Sequence, residues 1–95
     1  MTEFEKSVYE VVKTIPYGEV RTYADIGTAL GNPKLARAIG NALHKNPDPD
    51  GTPCFRVVHS DGSLCPAFAF GGIDAQKALL EAEGVTIKDN KVVLG

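Results

Sequence analysis

Nucleophilic chemistry in this 95-residue chain has few possible sources, and Cys54 in Thr52-Pro53-Cys54-Phe55-Arg56-Val57-Val58 is the first of them. A cysteine attacks as thiolate, and an unperturbed thiol with a pKa of ~8.5 is ionised to only a few per cent at neutral pH. Its surroundings must therefore activate it. Pro53 fixes the backbone just before the sulfur, which would hold a nucleophile still. The opposing reading is structural, since cysteine is among the most buried residue types and can be filler at the start of a strand. Cys65, His44 and His59 are the remaining thiol and imidazole groups. No CxxC or HxxxH spacing joins the cysteines or histidines, so no structural zinc site and no other cofactor are expected.

The chain is long enough for one modest core, and a single domain over residues 1–95 is expected. No apolar run approaches the ~20 residues of a membrane span, and the acidic, amphipathic start MTEFEKSVYE is unlike a signal peptide. Two cysteines without such a signal point to a reducing, intracellular setting: cytoplasm and nucleoid, or a nucleus. The net charge of −2 speaks mildly against nucleic acid, but its distribution speaks for it. Between Ile26 and Pro47 there is no acidic residue, while Lys34, Arg37 and Lys45 give that window +3. A local basic patch can grip phosphates on an otherwise acidic domain.

Several elements must position these groups. Phe4, Val8, Val11, Val12 and Ile15 recur at helical spacing over 3–14, and Pro16-Tyr17-Gly18 turns the chain. Thr22 with Asp25 predicts an N-cap for a short helix from Tyr23 to Leu30. Gly31 suits its C-terminal turn, and Asn32-Pro33 restarts a helix running to about Lys45. Two short helices around a tight Gly-Asn-Pro junction outline a helix-turn-helix. The second buries Leu35, Ile39, Ala42 and Leu43, and shows Lys34, Arg37, Asn41, His44 and Lys45 beside the small Ala36 and Gly40. That face is either simply solvated or a surface that a partner approaches closely. A strand is expected from Arg56 to His59, turning at Asp61-Gly62, and a helix from Asp74 to Glu83 with Ala78, Leu79 and Ala82 inward. A hairpin turning at Asp89-Asn90 ends the chain. The fold class is thus mostly α with a small β element, a winged helix-turn-helix-like domain.

Three stretches together, "IPYGEVRTYADIGTALGNPKLARAIGNALHKNP", "PCFRVVHSDGSL" and "GGIDAQKALLEAEG", resemble the C-terminal, DNA-binding domain of the O6-alkylguanine-DNA alkyltransferases. The likeness covers nearly the whole chain, in the right order. It implies binding to double-stranded DNA through the minor groove, with O6-alkylguanine turned out of the stack into a pocket. On this resemblance Arg37 enters the duplex, and Ala36 and Gly40 allow close approach. Thr22, Tyr23, Lys34, Asn41 and Arg56 complete the DNA contacts. Tyr23 crowds the target phosphate and can give a proton to the leaving guanine. Asn46 braces the loop before the cysteine, Cys54 accepts the alkyl group and is not regenerated, and Glu83 ends the relay that activates the thiol. Phe55, Val57, Phe68 and Phe70 would form the lesion pocket.

Two departures from the pattern bear on chemistry. Phe55 stands where the transferases have the histidine of Pro-Cys-His-Arg, and a phenyl ring cannot relay a proton. The segment "SLCPAFAFGG" is longer than the family's and lacks its tyrosine, so Phe68 or Phe70 takes the pocket wall. Cys65 there is read as packing, and His59 as a surface residue before a turn. The resemblance takes in the C-terminal domain of full transferases without their N-terminal one, and on that ground a short form similar to the alkyltransferase-like proteins is expected. These bind the lesion, transfer nothing and pass it to excision-repair proteins. The implied function is stoichiometric transfer of an alkyl group to Cys54, with lesion sensing as the alternative, by a monomer. A winged-helix transcription factor reading the major groove would explain the helices but not "PCFRV".

Overall fold

A computed structural model of the chain describes residues 2–48, 51–65 and 71–93. Helix α1 (Glu3–Lys13) starts in a capping box, in which Thr2 and Glu5 satisfy each other's backbone amides. Its apolar stripe places Val8, Tyr9 and Val12 inward. A turn follows, closed by the Glu19 amide on the Pro16 carbonyl at 3.1 Å with Gly18 at φ 80°, a conformation that glycine takes without strain. Strand β1 (Arg21–Thr22) leads directly into α2 (Tyr23–Ala29), again through a capping box, here between Thr22 and Asp25.

The junction between α2 and the next helix is tight. Asn32 donates its amide to the Gly27 carbonyl at 2.8 Å and caps a 3-10 turn at Pro33–Leu35, which runs into α3 (Ala36–His44). A Cβ on Gly27 would lie 2.6 Å from the Asn32 carbonyl oxygen, so only glycine lets the two segments meet here. The buried Tyr9 hydroxyl donates to the Ala42 carbonyl at 2.6 Å, which fixes α1 across the last turn of α3.

Beyond α3 a loop leads to a second 3-10 turn (Cys54–Arg56) and strand β2 (Val57–Val58), parallel to β1 with Arg21 opposite Val57. The expected strand from Arg56 to His59 is thus shorter, because Arg56 still belongs to the turn. Val57 and Val58 point to opposite sides of β2, as alternation along a strand requires. Val57 enters a cluster with α1, α2, α3 and Cys54, and Val58 enters a second one with Leu64, Leu80 and Val92. Helix α4 (Gly72–Ala82) covers the second cluster. The hairpin β3 (Ile87–Lys88) and β4 (Lys91–Val92) turns on Asp89 and Asn90, both at positive φ as a two-residue loop demands.

One helix face differs from expectation. Ala78, Leu79 and Ala82 are exposed, and α4 instead buries Gln76 and Leu80. Gln76 is fully buried because its amide is used: Oε1 accepts from the Cys65 amide at 2.8 Å, while Nε2 donates to the carbonyls of Phe55 and Val57. A polar side chain that satisfies three backbone groups displaces the apolar ones from the inward position. Among the described residues no helix is long and apolar enough to cross a membrane.

Replacing Gly27 by alanine forces its Cβ into backbone that cannot yield locally. Gly27→Ala is expected to lower unfolding free energy by about 1–3 kcal/mol, read from the urea midpoint at unchanged slope.

Candidate active site

Cys54 owes its position to the loop before it. The buried Asn46 side chain donates to the Thr52 carbonyl at 3.0 Å and accepts from the Asp48 amide at 3.1 Å, so one amide spans the loop. Pro53 lies at φ −75°, ψ 68°, and the Cys54 amide returns to the Thr52 carbonyl at 2.7 Å. This is an inverse γ-turn whose φ proline sets in advance. The sulfur therefore stands at the first residue of a short 3-10 turn, with Cys54 5% exposed.

Burial pushes the Cys54 thiol up from its ordinary pKa. Hydrogen bonding from the Asn46 side chain and from the amides of Cys54 and Phe55 pulls the other way, and the neighbouring Cys65 pushes up again. Burial prevails. Among the described residues no imidazole acts on this sulfur. Cys54 is thus held in a defined place but rests as a thiol.

Tyr23 begins α2 and is half-buried beside these groups. Its hydroxyl lies 2.8 Å from the Cys65 sulfur, and its ring is 5.2 Å from that of His59, tilted by 46°. The ring edge would be 4.0 Å from a Cβ on Gly40, so the phenol meets α3 at its small residue. Burial, the Cys65 contact and the charge that either thiolate would carry hold the phenol far above its usual range. Tyr23 therefore keeps its proton throughout the physiological range.

Glu83 has a different neighbour from the one expected. Its carboxylate takes Arg56 in a two-pronged pair, Nε to Oε1 at 2.9 Å and Nη2 to Oε2 at 2.6 Å, and accepts the Gly18 amide at 3.1 Å. Arg56 also donates to the Ile15 carbonyl at 2.8 Å, and its guanidinium stacks near the Phe55 and Tyr17 rings at 5.4 and 5.9 Å. The two side chains are 14% and 9% exposed. Arg56 holds Glu83 below the usual carboxylate range, and Glu83 holds Arg56 higher.

On α3 and the turn before it, Lys34, Ala36, Arg37 and Asn41 are exposed and Gly40 is half-buried, whereas Ile39, Ala42 and Leu43 are buried. Arg37 makes no ion pair among the described residues. Thr22 uses its hydroxyl oxygen to accept the Asp25 amide at 3.1 Å.

The family described as 6-O-methylguanine DNA methyltransferase, DNA binding domain, matches residues 3–85. The chain belongs to this family. A methylated-DNA–protein-cysteine methyltransferase of Methanosarcina acetivorans is 47% identical over 83 residues, which are 87% of this chain and 52% of that protein. The constitutive one of Bacillus subtilis is 38% identical over 93% of this chain and 53% of its own length. The chain thus spans about half the length of these curated relatives. Among solved structures, Mycobacterium tuberculosis OGT in complex with DNA superposes with a TM-score of 0.81 at 40% identity, over 88% of this chain and 50% of that one. S. pombe Atl1, in complex with damaged DNA containing O6-carboxymethylguanine, superposes with a TM-score of 0.85 at 36% identity, over 100% and 91%.

Seen within the family pattern, the structure brings Cys54, Asn46 and Tyr23 into one region and separates other expected members from it. Arg56, expected to contact DNA, is turned inward because the buried Glu83 carboxylate needs a cation. Glu83, expected to end a relay to the thiol, is paired with Arg56 and the Gly18 amide instead. Val57, expected in the lesion pocket, is fully buried in the core on its side of β2. Phe55 is half-buried against the second cluster and the Arg56 guanidinium. Phe68 and Phe70 lie outside the described residues. Sequence reasoning missed Cys65 and Gln76. The only signals were that Gln76 lies between Ile73 and Leu80 at helical spacing, and that a second thiol follows Cys54 by 11 positions.

Glu83 carries a depressed pKa, so its stabilisation is complete above the unfolded value of roughly 4.3 and is lost as pH falls through the lower folded value. Glu83→Gln is expected to cost about 2–3 kcal/mol at neutral pH, and the gap to wild type should close in acid melts below pH ~4.

Proposed function

We propose that this domain recognises O6-alkylguanine in duplex DNA and takes the alkyl group onto Cys54, once per molecule. The observation that carries the reading is a retained cysteine on a turn braced by Asn46, in a cluster with a protonated Tyr23 that Gly40 joins to the acid-free face of α3. Helix α3 is the element that enters the minor groove, with Ala36 and Gly40 permitting close approach and Arg37 filling the space of the extruded nucleotide. Thr22, Lys34 and Asn41 flank it.

The chemistry is an in-line displacement. The Cys54 sulfur gives up its proton to water and attacks the alkyl carbon, the S–C bond forms as the O6–C bond breaks, and guanine departs with the electron pair. The Tyr23 phenol keeps its proton and donates a hydrogen bond to the departing base, which takes the proton it requires from water. No cofactor enters the balance. Without an imidazole beside the sulfur, the step lacks the general-base help worth roughly 10²–10⁴ elsewhere, and transfer is slow.

A second reading is a sensor that binds the lesion and passes it to excision repair. Burial holds the Cys54 thiol in its unreactive form, and Glu83 is engaged by Arg56. The resemblance to S. pombe Atl1 over nearly the full length of that protein points the same way.

Incubation with duplex containing O6-methylguanine, followed by intact mass, decides between them. A gain of one methyl group that disappears in Cys54→Ser supports transfer. No gain, with tighter binding to damaged than to undamaged duplex, supports the sensor. No preference for the lesion overturns both. Phe55→His is expected to raise the single-turnover rate by about 10-fold or more, since it returns the histidine of the Pro-Cys-His-Arg pattern to the residue after the cysteine.

A further inference from the structure

Cys65 has no part in that displacement, yet it is held as firmly as the residues that do. Its amide donates to Gln76 Oε1 at 2.8 Å, and the same Gln76 binds the carbonyls of Phe55 and Val57 on either side of Arg56. The Cys65 backbone is therefore tied to the turn that carries Cys54. Its side chain is almost fully buried, and among the described residues it meets the Tyr23 hydroxyl at 2.8 Å. A second approach, to the Val57 carbonyl, is long at 3.9 Å, and that carbonyl already accepts from Gln76 at 3.0 Å.

We propose that Cys65 is a positioning residue for Tyr23: its thiol fixes the phenol hydroxyl in the orientation in which the hydroxyl meets the flipped base. This rests on the reading of the domain as a reader of O6-alkylguanine. The phenol is confined on three sides, by His59 against its ring, by Gly40 at its edge and by Cys65 at its hydroxyl. Of these only Cys65 can set the direction of the O–H bond. Sulfur suits the task because it is a weak donor and a weak acceptor. It orders the hydroxyl in the free protein and gives way readily to a nitrogen or oxygen of an incoming base. The ordering is thus in place before the lesion arrives, and little is lost on exchange.

The test uses wild type, Cys65→Ala, Cys65→Ser, Tyr23→Phe and the double variant Cys65→Ala/Tyr23→Phe, each checked for an intact fold by its thermal transition. Two readouts are taken: methyl transfer by intact mass, and preference for O6-methylguanine duplex over undamaged duplex. Cys65→Ala is expected to lower transfer rate, or lesion preference in a protein that does not transfer, by about 3- to 10-fold, the weight of one lost hydrogen bond. Cys65→Ser should restore most of it, and Cys65→Ala should change nothing further in the Tyr23→Phe background. An equal loss in that background, or no loss in Cys65→Ala, overturns the assignment. The 13Cζ resonance of Tyr23 in the free protein separates this from the wider reading. It should move in Cys65→Ala, and an unmoved resonance refutes the contact even in a protein that repairs. A wild type with neither transfer nor lesion preference, together with a moved resonance, refutes the repair reading and leaves the contact standing without the role.

Discussion

The pairing of Arg56 with Glu83 holds this molecule together where it matters most. Four hydrogen bonds converge on it: two between the partners, one to the Ile15 carbonyl and one from the Gly18 amide, and beside it the Tyr17 hydroxyl donates to the Ala82 carbonyl. These ties come from three separate parts of the chain. The end of α1 and its turn, the turn that carries Cys54, and the end of α4 are all referred to one ion pair. A largely buried pair is a costly way to obtain stability alone, because two charges lose their water. It is an effective way to obtain position, because a guanidinium and a carboxylate meet in one geometry. Arg56 follows Cys54 by two residues, so the location of the sulfur is set by a contact that cannot slide.

That same contact limits the chemistry. A carboxylate fully engaged with a guanidinium is a poor base, and here it has no imidazole through which to act, since Phe55 stands next to the thiol. The phenyl ring uses the place for packing: it lies against the second cluster and covers one face of the Arg56 guanidinium. The site thus offers rigidity more than activation. What it supplies is placement, through Asn46 and Pro53, and a phenol that keeps its proton. Placement alone can contribute substantially when reacting atoms are held near contact distance.

Much of this was legible in the sequence where local rules act alone. The capping residues Thr22 and Asn32, the turn at Asp89 and Asn90, and the buried stripe of α3 lie where their side-chain chemistry requires. The errors arose where tertiary demand outweighs local pattern. Helix α4 was oriented by its apolar residues, but the inward face was decided by three backbone groups that needed Gln76. Arg56 was expected among the DNA contacts through the family resemblance alone. Only the fold reveals that Glu83, 27 positions along the chain, comes to meet it. Cys65 could not be joined to Tyr23 by any spacing rule, since 42 positions and a crossing of elements separate them.

The two functional readings differ less than their names suggest. After a base has been drawn into the site, the protein either transfers the alkyl group or lets go, and the outcome is set by the ratio of those two rates. An unactivated thiol lowers the first rate. On the proposed reading the exposed face of α3, with its cations and small residues, governs the second, because affinity differences among related complexes reside mainly in dissociation. A protein that stays on the lesion long enough needs no fast nucleophile, since each molecule reacts only once. Lengthening residence at fixed chemistry turns a sensor into a slow acceptor, and shortening it does the reverse. On the proposed reading, phenylalanine in place of the histidine therefore excludes neither function. It shifts the weight from activation of the sulfur to the hold of α3 on the duplex.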